Sequence, residues 1–237
     1  MAQVRLTNFS PISLTMVIDR IRQYVFGTNW LKTVRINFHY FPLKQAVRLP
    51  ILVSKRTVFL ELRGGVKIEG QAKTGMMLLG YQRLGIHDGF YNRTVWQVSG
   101  QITIKGEKID IGRGSSLCVS GHCYLGDHFT ITGKSTIICR KNVSFGDGVL
   151  ISWDALIMDT DYHYISDDEG QIINNEKSII IGNDVWIGCR TTILKGTTIP
   201  SKSVIAAGAL VTGKMKEKNC IYSSDGRILK RNINWQR

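Results

Sequence analysis

The chain has 237 residues, 43% of them hydrophobic, and a formal charge of +13 from 31 Lys and Arg against 18 Asp and Glu. That is enough apolar material for one large cored unit or two small ones, and no apolar run is long enough to span a bilayer. The excess positive charge attracts polyanions, whether nucleic acid, anionic lipid or a phosphorylated small molecule. No zinc-finger, helix-turn-helix or RNP pattern accompanies it, so nucleic acid is not an expected partner.

Residues 1–50 read as a separate N-terminal region. Ser13 is placed to cap a helix whose apolar residues (Leu14, Val17, Ile18, Ile21, Val25, Phe26) keep helical spacing, with Gly27 ending it. The next stretch mixes aromatics with Lys32, Arg35, Lys44 and Arg48. It reads either as an amphipathic element lying on a membrane face or as a helical cap packed on the end of the main body of the chain. The N-terminus lacks a basic start followed by an apolar core, so no secretory leader and a cytoplasmic location are expected. Five cysteines (Cys118, Cys123, Cys139, Cys189, Cys220) without CxxC spacing are expected as free thiols in a reducing compartment.

From Ile51 to Cys118 the chain turns to short strand-like pieces punctuated by glycine, with an insertion between Gly70 and Thr94. These are expected as irregular first coils of a repeat that becomes regular over residues 119–213. There an aliphatic residue recurs every sixth position: Val119, Leu125, Ile131, Ile137 and Val143, then, after a slip of two, Phe145, Ile151 and Ile157. It returns at Ile181, Ile187, Ile193, Ile199, Ile205 and Val211. A period of six is neither 2 nor 3.6 and is the mark of a parallel β-helix, in which three hexapeptides make one triangular coil. The slip keeps inward parity and is expected to lengthen one corner. Residues 214–237 form a basic tail expected to wrap the last coils.

A polar loop at residues 158–180 interrupts the repeat, and so long a loop inside a tight repeat points to function. It carries His163, whose imidazole is a natural general base near neutral pH. Asp159 and Asp161 are near enough in sequence for one of them to orient the ring, as in a triad. Trp186 and Trp153 sit near corners, where an exposed indole serves either a ligand's apolar arm or packing between subunits.

The register of 181–212, the preceding DTDYH, VWIGCRTTILKG and AAGALVTGK together resemble the hexapeptide-repeat acyltransferases, above all the sugar and polysaccharide O-acetyltransferases. The resemblance implies an all-β, left-handed parallel β-helix. It also implies acetyl-coenzyme A as co-substrate, a saccharide acceptor, and a homotrimer with active sites in clefts between prisms. It implies His163 as the catalytic base, Trp186 lining the cleft, the Cys189 backbone N–H as an oxyanion donor, and Ala207 and Thr212 against the cofactor. Where relatives often have Lys after that Thr, this chain has Gly213, with Lys214 one later. Lys214, Lys216, Lys218 and Arg227 are the candidates for the cofactor's phosphates. Other acceptors (an amino sugar, serine, an antibiotic) and a non-catalytic scaffold remain open. A zinc lyase would need three converging histidines. His122, His128 and His163 are present, but Asp168 stands where a further loop histidine would be, so no metal site is expected.

Overall fold

A computed structural model describes residues 24–81 and 91–236 of the chain. Short strands wind into three parallel sheets of nine, seven and six strands, each strand pairing with the one three places on in sequence. This is a parallel β-helix with three faces, the fold class expected from the repeat. We call the faces first, second and third in the order in which the nine-, seven- and six-stranded sheets are met along each coil. The inward side chains make one continuous aliphatic core, including Ile111, Ile131, Ile151, Ile187 and Ile205 stacked on the first face, all nearly or fully buried. Phe129 and Phe145 fill the middle of the prism with ring centroids 4.8 Å apart.

Before the loop the coil is longer than three hexapeptides. Leu117, Ile137 and Ile157 are register partners 20 residues apart, whereas Ile193 and Val211 are 18 apart. The extra pair does not lengthen a corner, as the slip at Val143 and Phe145 suggested. It lengthens the second face, where Val98, Val119 and Cys139 form one additional inward column. Two more residues of extended chain restore the same side-chain parity, so the core accepts them without a polar residue turning inward. The expected insertion between Gly70 and Thr94 also contains a coil strand. Met77–Leu79 pairs in parallel with Ile51–Val53 below and Ile109–Ile111 above.

One prism edge is closed by a ladder of side chains. Asp127 Oδ1 accepts from the Glu107 and Lys108 amides at 2.9 and 3.3 Å, and Asp147 Oδ1 accepts from Asp127 N at 2.8 Å. Asn183 Oδ1 then accepts from Asp147 N at 2.9 Å, and Ser201 Oγ from Asn183 N at 3.0 Å. Each coil thereby satisfies the corner amide of the coil before it, a group that would otherwise lack a partner.

At its start the prism is capped by the helix Trp30–Tyr40. Asn29 caps it by accepting from Lys32 N at 3.0 Å, and Pro42 follows directly after its end. The helix turns polar residues toward the core. Asn37 Nδ2 donates to Ile51 O at 2.7 Å while Asn37 Oδ1 accepts from Ile51 N at 3.0 Å, and Thr33 Oγ1 accepts from Val53 N at 3.1 Å. These bonds satisfy the free edge of the first strand, which would otherwise template pairing with another chain. Residues 24–27 are helical, and the rest of the helix expected from Ser13 lies outside the described residues. At the other end, Ile228–Lys230 pairs antiparallel with Ile221–Tyr222, so the tail folds back on the first face.

Asp147→Ala is expected to lower the unfolding free energy by about 1–3 kcal/mol, since it strands the Asp127 amide. Glu107→Ala, which removes only the exposed pair with Lys73, is expected to cost about 0–1 kcal/mol. Urea denaturation of the two variants checks the difference.

Candidate active site

The loop begins where a carboxylate takes the next position of the Val98, Val119 and Cys139 column. Asp159 is fully buried. Its Oδ1 accepts from Arg140 N at 2.7 Å, and its Oδ2 accepts from Lys141 N at 2.9 Å and Asn142 N at 2.7 Å. A buried carboxylate is tolerated when its lone pairs are taken up this way. Burial, and then the neighbouring Asp159, push the Cys139 thiol up to about 12. The expectation that Asp159 orients the His163 ring is thus corrected, because both its oxygens are committed to backbone amides of the coil below. Asp159 is a clamp at the root of the loop, and Lys177 N closes that root on Asp159 O at 3.3 Å.

Between these points the chain forms an ordered arm. Asn174 holds it together: its Nδ2 donates to Asp161 Oδ2 and to His163 O, both at 2.8 Å, and its Oδ1 accepts from Ile165 N at 2.7 Å. Lys195, from the next coil, pairs with Asp161. Lys195 first, and Asn174 after it, hold the Asp161 carboxyl below its usual value. Asp161 therefore fixes the arm to the prism and is not the ring's partner either. The His163 side chain is exposed, and its ring makes no hydrogen bond among the described residues. The arm presents the imidazole by gripping the backbone on either side of it.

Directly below lies a cleft of about 200 Å³ on the extended end of the second face, lined by Gln97, Ser99, Cys118, Ser120, Arg140 and Tyr162. Arg140 Nε bonds Glu176 Oε1 at 3.1 Å, and its guanidinium lies 5.8 Å from the centre of the Tyr162 ring. These groups offer several hydrogen-bond donors and acceptors one residue from His163. Sequence reading missed Arg140, Asn174, Glu176 and Lys195, because each acts across a coil or across the loop, where no local spacing marks the pairing.

The residues expected against a cofactor stand in two groups. Trp186, Cys189 and Ala207 lie on the first face and the edge that follows it. Trp186 is 39% exposed and its Nε1 donates to Ser152 Oγ at 3.1 Å. Cys189 O accepts from Gly208 N at 2.8 Å, which brings the Cys189 and Ala207 corners together, while Cys189 N donates to nothing among the described residues. Thr212 and Lys214 are exposed on the other edge, the one that carries His163 and Lys195. Gly213 between them has φ +74°, a conformation that disfavours a side chain, which accounts for glycine there. The two edges are separated by the second face, roughly 10 Å wide at ~3.3 Å per residue. Trp153 is half-buried.

A further aromatic, Trp235, was not anticipated. Its ring centroid is 6.0 Å from that of Trp186, and its Nε1 donates to Asp184 O at 2.8 Å. The tail thus lays an indole beside Trp186 and walls a groove of about 600 Å³ along the ladder edge, with Asp184, Lys202 and Ile233. The histidines of the zinc alternative are dispersed. His122 Nε2 bonds Thr103 Oγ1 at 2.9 Å, His128 Nδ1 pairs with Asp127 at 3.0 Å, and no three metal-ligating side chains converge among the described residues. All five cysteines are free.

Because Asp161 is held below 3.8, its contribution to the arm is complete above that pH and fades as pH falls from 3.8 through its lower folded value. Hydrogen exchange or limited proteolysis of residues 160–176 is expected to show a protected arm down to about pH 4 and progressive opening below it. Lys195→Met is expected to bring that opening to higher pH.

No family model matches the chain. Relatives do. It is 32% identical over 147 residues to an uncharacterized 24.8 kDa protein in the cps region of Klebsiella pneumoniae, covering 61% of this chain and 62% of that one. It is 31% identical over 137 residues to the polysialic acid O-acetyltransferase of Escherichia coli O1:K1, covering 57% of this chain and 40% of that one. It is 35% identical over 91 residues to the galactoside O-acetyltransferase of Escherichia coli K12, covering 38% and 44%. The chain thus spans about 40–62% of the length of these relatives. The resemblance to sugar and polysaccharide O-acetyltransferases expected from the motifs is the one that whole-sequence comparison finds.

Proposed function

We propose that the chain is an O-acetyltransferase that moves an acetyl group from acetyl-coenzyme A to a hydroxyl of a sugar or polysaccharide precursor. The observation that carries this reading is the ordered arm, which holds an exposed imidazole with unengaged nitrogens over a polar cleft. The named relatives, which act on polysialic acid and galactosides, support the substrate class.

The acceptor binds in the cleft under Tyr162, with Arg140, Ser99, Ser120 and Gln97 to orient its hydroxyls. His163 takes the proton of the attacking hydroxyl, and the protonated ring then returns it to the departing thiolate, so no net proton is gained or lost. Bound acetyl-coenzyme A supplies the thioester carbonyl. Its binding is supported by three features of one edge: the exposed Trp186 indole, the small and exposed Ala207 and Gly208, and the undirected Cys189 N–H. That amide is free to hydrogen-bond the carbonyl oxygen as charge develops on it. Lys214, Lys216 and Lys218 supply a basic rim for phosphates.

The imidazole must come within hydrogen-bond reach of the reacting hydroxyl, about 2.6–3.2 Å, yet the Trp186 and His163 edges of one chain stand a face apart. The reading therefore requires a neighbouring copy, whose first-face edge meets the His163 edge of this one. A homotrimer closes that arrangement three times.

His163→Ala is expected to lower turnover of acetyl-coenzyme A with a saccharide acceptor by about 10²–10⁴-fold while leaving the oligomer intact. Unchanged turnover would remove His163 as the base. Trp186→Ala is expected to raise KM for acetyl-coenzyme A more than it lowers kcat. Subunits carrying His163→Ala and subunits carrying Ala207→Arg are each expected to be inactive alone. Mixed by refolding together, they are expected to regain activity, because some sites then combine two intact edges. No recovery on mixing, with mixed oligomers confirmed by mass, would place the site within one chain.

A further inference from the structure

The capping helix is amphipathic in the reverse of the usual sense. Its prism-facing side carries Thr33 and Asn37, both fully buried and bonded to the first strand, together with Ile36. Its outward side carries Trp30, Val34 and Phe38 one turn apart, with Leu31 alongside. These are 49%, 46%, 49% and 86% exposed. Leu43 and Val47 continue the apolar strip along the short helix Leu43–Ala46 and just past it, and both are exposed. An outward apolar strip of this length on one end of a soluble prism marks a contact surface.

The surrounding charge selects the partner. Between Tyr24 and Leu60 the sequence contains no Asp or Glu, but it carries Lys32, Arg35, Lys44, Arg48, Lys55 and Arg56. Arg35, Lys44 and Arg48 are exposed beside the apolar strip. A second copy of the same face would set these cations against their own equivalents, which is repulsive. An anionic lipid surface instead satisfies both features, with Trp, Leu and Phe entering the headgroup boundary and Lys and Arg meeting the phosphates. No helix among the described residues is long and apolar enough to cross a membrane, so the contact is with the surface.

We infer that the outward face of Trp30–Tyr40, with its basic rim, docks the prism end-on to an anionic membrane surface. Placed there, the helix holds the coil stack upright on the lipid, with the arm of His163 several coils away from the surface.

The test is sedimentation of the full chain with vesicles of equal parts phosphatidylglycerol and phosphatidylcholine, against phosphatidylcholine alone. Binding to the anionic vesicles is expected, weakening as salt is raised, with little binding to the neutral ones. Leu31→Glu combined with Phe38→Glu is expected to lower that binding by about tenfold or more, with the far-ultraviolet spectrum and thermal midpoint of the parent retained, since both side chains point away from the core. Trp30 emission is expected to shift to the blue on adding anionic vesicles, identified by its loss in Trp30→Phe. Equal binding to both vesicle types, or undiminished binding by the double variant, overturns the inference. A fall in oligomer mass in the double variant, without loss of vesicle binding, would assign the face to a second copy. Trp30 emission already blue in free protein and unmoved by vesicles would assign it to the chain's own residues 1–23.

Discussion

A carboxylate in an aliphatic column sets the rest of the structure. Val98, Val119 and Cys139 stack inward at the far end of the second face, and the next place in that stack belongs to Asp159. An unpaired charge there would be expensive, and three consecutive amides of the coil beneath, from Arg140 to Asn142, make the burial tolerable. The same three bonds end the column, release the chain from the coil path and aim it outward. The long excursion therefore leaves from a fixed point, at the one level of the prism where the coil changes length.

What leaves the prism stays ordered because polar contacts replace the core. Asn174, Asp161 and Lys195 form one connected group that grips the backbone on either side of His163. Glu176 and Arg140 tie the returning strand to the second face. None of these groups needs to touch the imidazole to position it. The ring is left with both nitrogens unengaged, and its orientation is completed by whatever approaches from outside the chain.

The fold was largely legible in the sequence, since inward burial in a prism repeats at a period that no helix or plain strand shares. Ile181 to Val211 announced it, and Met77–Leu79 escaped notice only because its coil is interrupted by a loop. The two-residue slip was visible, but its cause was not, because parity alone does not say which of three faces is the longer. His163 was legible as a polar exception in a regular text. Its two aspartates were misread, since nearness in sequence favours a pairing that burial and backbone hydrogen bonding then decide otherwise. Trp235 and Asn174 could not have been found from spacing, because each meets its partner across the loop or from the returning tail. The exposed strip of Trp30–Tyr40 was readable as an amphipathic pattern, but which side met the prism was not. Helical periodicity identifies an apolar side and assumes that it faces inward, and here Asn37 and Thr33 took that place to satisfy a strand edge.

The change from 20 to 18 residues per coil makes the tower stepped. Below the arm the second face runs two residues further than it does above, an overhang of roughly 7 Å at ~3.3 Å per residue. The floor under Tyr162 and His163 is that terrace. Its depth is adjustable only in increments of two residues, since an odd change would turn the inward column out to water. Lengthening or trimming the terrace by one such increment would alter how far the floor projects beneath the arm while leaving every layer of the core in register, so the span between base and floor can be retuned without refolding the shaft that carries them.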